Sequence, residues 1–183
     1  MTGERLVTTV EDGRADAAPR ARVVVMGVSA SGKSSVGAEL ARLMGARFVD
    51  ADDLHPAANV AKMSAGVPLQ DEDRWPWLDA VAATLVDADR PVVACSALKR
   101  SYRDRLRAAA PGVVFVHLTG SAELLAARAR GREGHFMPPA LLRSQLDTLE
   151  PLGEDEVGVA IDVTATVADL ALAARGWIDA RAR

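Results

Sequence analysis

The sequence predicts a three-layer α/β fold: a five-stranded parallel sheet flanked by helices, built around a phosphate-binding loop and carrying a mobile lid. Three observations lead there. The stretch Gly27-Val28-Ser29-Ala30-Ser31-Gly32-Lys33-Ser34 fits G-x-x-x-x-G-K-[ST] at every fixed position. Five short β-branched runs alternate with stretches of helical spacing, the pattern of a parallel sheet covered on both faces. Polar residues gather just after those runs, where folds of this kind bind their ligands.

Composition sets the outer bounds. A chain of 183 residues, 49% hydrophobic, suits one domain with a full core. The net charge of -3 gives no reason to expect nucleic acid or a membrane surface as partner. The single cysteine, Cys95, excludes an intramolecular disulfide and lies in an apolar run as a small buried residue. No apolar segment is long enough to span a bilayer and no secretory segment opens the chain, so a cytoplasmic location is expected.

Taken in order, residues 1–20 are mixed in charge and lack periodicity, and are expected to be a flexible extension to a single domain over 21–183. Val23 to Met26 is the first strand. Val36, Leu40, Leu43 and Met44 recur at helical spacing after the loop, and Gly45 stops that helix. Arg47 to Asp50 is the second strand, ending in Asp50-Ala51-Asp52-Asp53-Leu54-His55. Pro56 opens a helix that Gly66 stops. An acidic loop over 67–74 precedes a helix with Pro76 in its first turn and Trp77, Leu78, Val81 and Leu85 on its inner face.

Val92 to Cys95 is the third strand. Ser101 and Asp104 have capping-box spacing for the next helix. Val113 to Leu118 is the fourth strand, and Ser121 caps a helix running to about Arg130. Residues 131–139 break the pattern, and a lid is expected over about 124–140. A helix to about Glu150 follows, then a fifth strand over Val157 to Val163. Thr166 caps the last helix, with Val167, Leu170, Ala174, Trp177 and Ile178 inward.

The loop's chemistry follows from its geometry. Without side chains at Gly27 and Gly32 the backbone curls around a phosphate chain, and its N–H groups and the helix N-terminus face the anion. Gly27 through Ser35 thus form the nucleotide cradle: Gly27, Val28, Ser29, Ala30, Ser31, Gly32, Lys33, Ser34 and Ser35. Lys33 would reach the β- and γ-phosphates and the Ser34 hydroxyl would ligate Mg²⁺. Asp50 and Asp52 stand at alternate positions, so in an extended segment they point the same way. One can hold Mg²⁺ through water while the other orients and deprotonates an acceptor hydroxyl. Arg128 and Arg132 flank the irregular segment, where they could close over the triphosphate and neutralise charge during transfer. His135 is either a packing residue of that segment or a substrate contact. Val163 and Thr164 are nucleotide-side candidates by position alone.

Three classes use such a loop. A switch GTPase shows an apolar strand ending in D-x-x-G and a later N-K-x-D, and neither arrangement occurs here. A non-catalytic nucleotide-binding regulator leaves the polar clusters without a purpose. A P-loop kinase acting on a small molecule uses them.

The segments His55-Pro56, Asn59, Lys62 through Leu69, Asp71 through Arg74 and Trp77-Leu78 resemble the gluconate kinase family. So do Cys95 through Lys99, Tyr102-Arg103-Asp104, Gly134 through Met137, and Gln145 through Pro151. The resemblance spans about Val23 to Trp177. It implies a nucleoside-monophosphate-kinase-like fold, usually a homodimer, and ATP-dependent phosphorylation of D-gluconate to 6-phospho-D-gluconate. Carried over by position, the substrate side includes Asp52, His55, Arg74 and Lys99, with Arg128 and Arg132 as lid arginines. Analogy with shikimate kinases puts Asp50 near Mg²⁺ and Asp52 near the acceptor hydroxyl. Another small polyol acid or a shikimate-like acceptor is the alternative substrate. The family commonly has glycine where this chain has Ala30 and threonine where it has Ser35. A methyl group resists positive φ, so Ala30 is expected at negative φ in a loop of normal shape.

Overall fold

The computed structural model describes residues 21–131 and 139–182. The extension expected at 1–20, Arg132, His135 and the lid residues between 131 and 139 lie outside the described residues.

The chain runs β1 (Arg22–Met26), α1 (Lys33–Met44), β2 (Arg47–Asp50), a 3-10 turn (Ala51–Leu54), α2 (Ala57–Ser64), α3 (Asp71–Asp87) and β3 (Pro91–Ala94). It continues through α4 (Arg100–Ala109), β4 (Val113–Thr119), α5 (Ala122–Arg130), α6 (Pro139–Thr148), β5 (Gly158–Asp162) and α7 (Val167–Arg181). The five strands form one parallel sheet in the order β2-β3-β1-β4-β5. None of the described helices is long and apolar enough to cross a membrane.

Alternate residues of the central strands feed two cores. Val23, Val25, Val92, Val116 and Leu118 pack on one face with Val36 and Leu40 of α1 and Leu170 and Ala174 of α7. Val24, Met26, Val93 and Phe115 pack on the other with Trp77, Leu78 and Leu85 of α3 and Tyr102 and Leu106 of α4. Each such side chain contributes about 1.5–3 kcal/mol when fully buried. This double cover holds the C-terminal ends of β1, β2 and β3 rigidly at one edge, where the phosphate loop, the 3-10 turn and the segment after β3 emerge.

Several boundaries differ from expectation. Helix α3 begins at Asp71, so the expected acidic loop supplies its first turn. The Gln70 N–H donates to the Asp73 carboxylate (3.0 Å), starting the helix before Pro76, which is accommodated inside it. Ser101 does not cap α4. Lys99 is the capping position and the Arg100 N–H is satisfied by the Glu150 carboxylate from across the fold. Asp104 instead pairs with Arg100 (3.0 Å). Ser121 and Thr166 cap α5 and α7 as expected, accepting from the N–H groups of Leu124 and Asp169. Val167, expected inward, is exposed: it is the first residue of α7, and the buried face of the helix begins one turn later at Leu170 and Ala171.

Candidate active site

The phosphate loop leaves β1 between β3 and β4. Gly27 has φ +143° and an added Cβ would stand 2.7 Å from the Leu118 carbonyl oxygen, so only glycine fits there. Gly32 has φ +93° at the head of α1 and offers no capping side chain. The N–H groups of the first turn therefore face the loop's concavity, the arrangement that receives a phosphate.

Ala30 overturns its expectation: its φ is +62°. The left-handed well admits an L-residue at a cost of roughly 1–2 kcal/mol, and the curl between the two glycines imposes it. Neighbouring contacts hold the turn: the Ser31 N–H donates to the Val28 carbonyl (3.3 Å), and the Ser29 N–H to Oε1 of Gln145 (2.7 Å). The Lys33 ammonium also lies on the Val28 carbonyl (3.0 Å), at the mouth of the cradle.

From the loop a line of hydrogen bonds leads to β2. The Ser34 hydroxyl donates to Oδ2 of Asp50 at 2.6 Å, and Oδ1 of Asp50 accepts the Asp52 N–H at 3.1 Å. The two aspartates therefore do not alternate along an extended strand. Asp50 caps the 3-10 turn that begins at Ala51, and Asp52 rides on that turn, exposed. A hydroxyl and a carboxylate oxygen this close are the hard donors Mg²⁺ takes while keeping most of its waters. Among the described residues no cluster of three or more His, Cys, Asp or Glu forms a separate metal site.

Trp77 fixes both the 3-10 turn and His55 at its end. Its indole N–H donates to the Ala51 carbonyl at 2.6 Å, and its ring stacks on His55 at 4.3 Å with 12° between planes. Burial holds the His55 imidazole below its ordinary value, with the Asp52 charge acting upward and that of Arg74 downward. Asn59 stands 3.3 Å from Nδ1 of His55 and donates to the Asp73 carbonyl at 2.8 Å, tying α2 to α3.

Beyond His55 lies a cationic cluster. Lys99 makes two bonds to the Asp71 carboxylate (2.7 and 2.9 Å), and the Tyr102 hydroxyl donates to the same carboxylate. These partners hold Asp71 below the usual carboxylate range. Arg74 lies over the Tyr102 ring at 5.6 Å, with Lys99 at 5.5 Å, and among the described residues it contacts protein oxygen through one long bond to the Leu69 carbonyl (3.4 Å). Asp71 balances one of the two cations, so the cluster favours an anion.

Arg128 reaches the Val163 carbonyl at 2.6 Å and makes no hydrogen bond to the phosphate loop among the described residues. The structure thus joins Arg128 to Val163, two residues with separate roles on the sequence pattern alone. Thr164 follows, its N–H held by Asp162 (2.9 Å). Cys95 is buried beside the loop, and burial pushes its thiol up to about 12. Trp77, Asn59, Asp71, Tyr102 and Gln145 all lie in the motifs that carry the family resemblance. Their roles are visible only once α2, α3, α4 and α6 are packed together.

A parallel sheet of this order, a glycine-bounded cradle and the Asp50 carboxylate bonded to Ser34 beside it define a phosphate-loop kinase fold. A family model described as an AAA domain matches residues 23–152. The thermosensitive gluconokinase of Escherichia coli is 46% identical over 80% of this chain and 81% of its own length. The gluconokinase of Gluconobacter oxydans is 51% identical over 73% and 78%. The crystal structure of a gluconokinase from Sinorhizobium meliloti superimposes with a TM-score of 0.84 at 49% identity, covering 89% of this chain and 94% of that one. The chain belongs to the gluconokinase family.

Proposed function

We propose that the protein transfers the γ-phosphoryl group of ATP to the C6 hydroxyl of D-gluconate, giving 6-phospho-D-gluconate and ADP. The observation that carries this reading is the hydrogen-bonded line from the Ser34 hydroxyl through the Asp50 carboxylate to the Asp52 N–H, which ties the nucleotide cradle to the turn bearing the exposed Asp52. The family's named activity supports it.

Arg74 takes the substrate carboxylate, since Lys99 is already engaged by Asp71. Asp52 and His55 read hydroxyls. Asp52 accepts the proton as the acceptor oxygen bonds to the γ-phosphorus, and the bond from that phosphorus to the β–γ bridging oxygen breaks. The loop amides and Lys33 receive the charge that moves onto ADP. Ser34 and Asp50 would hold Mg²⁺, which supplies further neutralisation of the phosphate oxygens. Val163 and Thr164 serve the nucleotide side with Arg128, and Arg132 and His135 belong to the lid. On this reading the enzyme works in the cytoplasm and, as the resemblance implies, as a homodimer.

The test is ADP release with ATP and Mg²⁺ over D-gluconate, other sugar acids, neutral sugars, shikimate and water alone. Release dependent on D-gluconate is expected. Release with a different acid moves the specificity, and equal release in water alone means an NTPase or a regulator.

A further inference from the structure

Helix α6 bears no residue of the proposed transfer machinery, yet it touches both halves of the site. At one point the Gln145 side chain accepts the Ser29 N–H at 2.7 Å, a contact spanning 116 positions of sequence. This N–H adjoins the left-handed turn at Ala30, the one non-glycine residue of the phosphate loop with positive φ. Just beyond the end of α6, the Glu150 N–H donates to the Leu98 carbonyl (2.9 Å), and the Glu150 carboxylate accepts the Arg100 N–H. Between those two bonds stands Lys99, in the acceptor cluster.

The span between is stiff. Leu142 is buried in the core and Leu146 and Leu149 pack against it. The fully buried Arg103 bonds the carbonyls of Ala97 (3.2 Å), Leu98 (3.1 Å), Glu150 (3.0 Å) and Pro151 (3.0 Å) and pairs with Glu156 at 2.6 Å. The end of α6 and the segment after β3 are therefore locked to one guanidinium. The start of the phosphate loop is joined to the segment after β3 by the Gly27 N–H on the Ser96 carbonyl (3.4 Å), and farther round the loop Ser29 is fastened to that same body by the Gln145 side chain.

We propose that Gln145 is a positioning residue that holds the phosphate loop, through the Ser29 amide, in register with the Leu98–Arg100 segment, fixing the gap over which the phosphoryl group passes. The proposal rests on the kinase reading above. Transfer in line depends on the distance and angle between donor and acceptor, whereas binding of either substrate alone does not. Loss of the tether should therefore fall on kcat and on coupling rather than on KM. A loosened loop also admits water to the γ-phosphorus, so ADP is released without product.

The variant is Gln145→Met, which keeps length and helix propensity while removing the amide oxygen. Gln145 is only half-buried, so folding is expected to survive, and a thermal melt confirms it. Two measurements on the full chain decide the matter. Amide hydrogen exchange in the nucleotide-free protein should show Ser29 protected in wild type and exposed in the variant. Steady-state kinetics should show kcat down by about tenfold to a hundredfold with both KM values within about threefold. The ratio of ADP released to phosphorylated acceptor should rise above one. Unchanged Ser29 exchange overturns the proposal whatever the acceptor proves to be. So does a wild-type kcat with one ADP per product. If wild type itself fails to phosphorylate D-gluconate, the function reading falls instead. The exchange result, with the coupling ratio on the acceptor that is used, still decides for or against Gln145.

Discussion

The Ser34 hydroxyl donates to the Asp50 carboxylate across 2.6 Å, joining the first turn of α1 to the last residue of β2. These two residues lie 16 positions apart and come from adjacent layers of the fold. Their contact turns a nucleotide loop and an acidic strand end into one site.

Asp50→Asn keeps an oxygen for the Asp52 N–H but removes the charge beside Ser34. The Mg²⁺ concentration giving half-maximal activity should rise by about tenfold to a hundredfold, with thermal stability little changed. A magnesium titration of initial rates checks this. An unchanged midpoint would remove Asp50 from the metal's surroundings.

Asp52→Asn should leave ATP affinity nearly intact and cut kcat by about a hundredfold to ten-thousandfold, the usual weight of a general base. Nucleotide titration and initial rates on the same preparation separate the two effects. Equal loss of both, or retained turnover, would reject the role given to Asp52.

Ala30→Gly should raise stability by about 0.5–1 kcal/mol. Relief of the left-handed strain at φ +62° outweighs the entropy glycine adds to the unfolded chain. Urea unfolding reads the change, and a loss of stability would show that the turn is unstrained.

Acid should weaken the fold in two stages. Burial, aided by the Arg103 charge, holds the His117 imidazole below its ordinary value, and burial does the same at His55. The unfolded chain then binds protons that the folded chain does not. The histidine contribution is complete above about pH 6.5 and is lost as pH falls through the lower folded values. The second stage comes from Glu156. Its burial alone would raise it, but hydrogen bonds from Arg103 and from the Gly153 N–H hold it below its ordinary value. Its contribution is present above about pH 4.5 and is lost below. His117→Gln should flatten the first stage, measured as urea midpoints at about pH 7.5 and about pH 5.5. An identical fall in wild type and variant would place the acid sensitivity elsewhere.

Much of this is legible in the sequence, because the signals are local. The five strands announce themselves as β-branched runs, and the phosphate loop is a contiguous motif whose glycines have one steric use each. The motif assigns Ser34 to Mg²⁺, position marks Asp50 and Asp52 as a pair, and the analogy with shikimate kinases sets Asp50 beside the metal. The features that escape a sequence reading are set by distant partners. Asp71 to Arg74 read as a loop because Pro76 suggests a helix start, whereas the Gln70–Asp73 bond begins the helix earlier. Ser101 carries a capping pattern that Glu150, 50 residues from Arg100, makes unnecessary. Ala30 is expected at negative φ from its own side chain, and the loop around it decides otherwise. Gln145 lies in a family motif without a role, since only packed helices bring it to Ser29.

The measurement that tests the central claim most directly is phosphorus NMR of a reaction holding ATP, Mg²⁺ and D-gluconate, run beside Lys33→Ala. Wild type should convert the γ-phosphoryl signal into a phosphomonoester coupled to the C6 protons, with one ADP per ester, and Lys33→Ala should form none while remaining folded. Free phosphate as the sole product, or an ester formed equally by Lys33→Ala, would contradict the account.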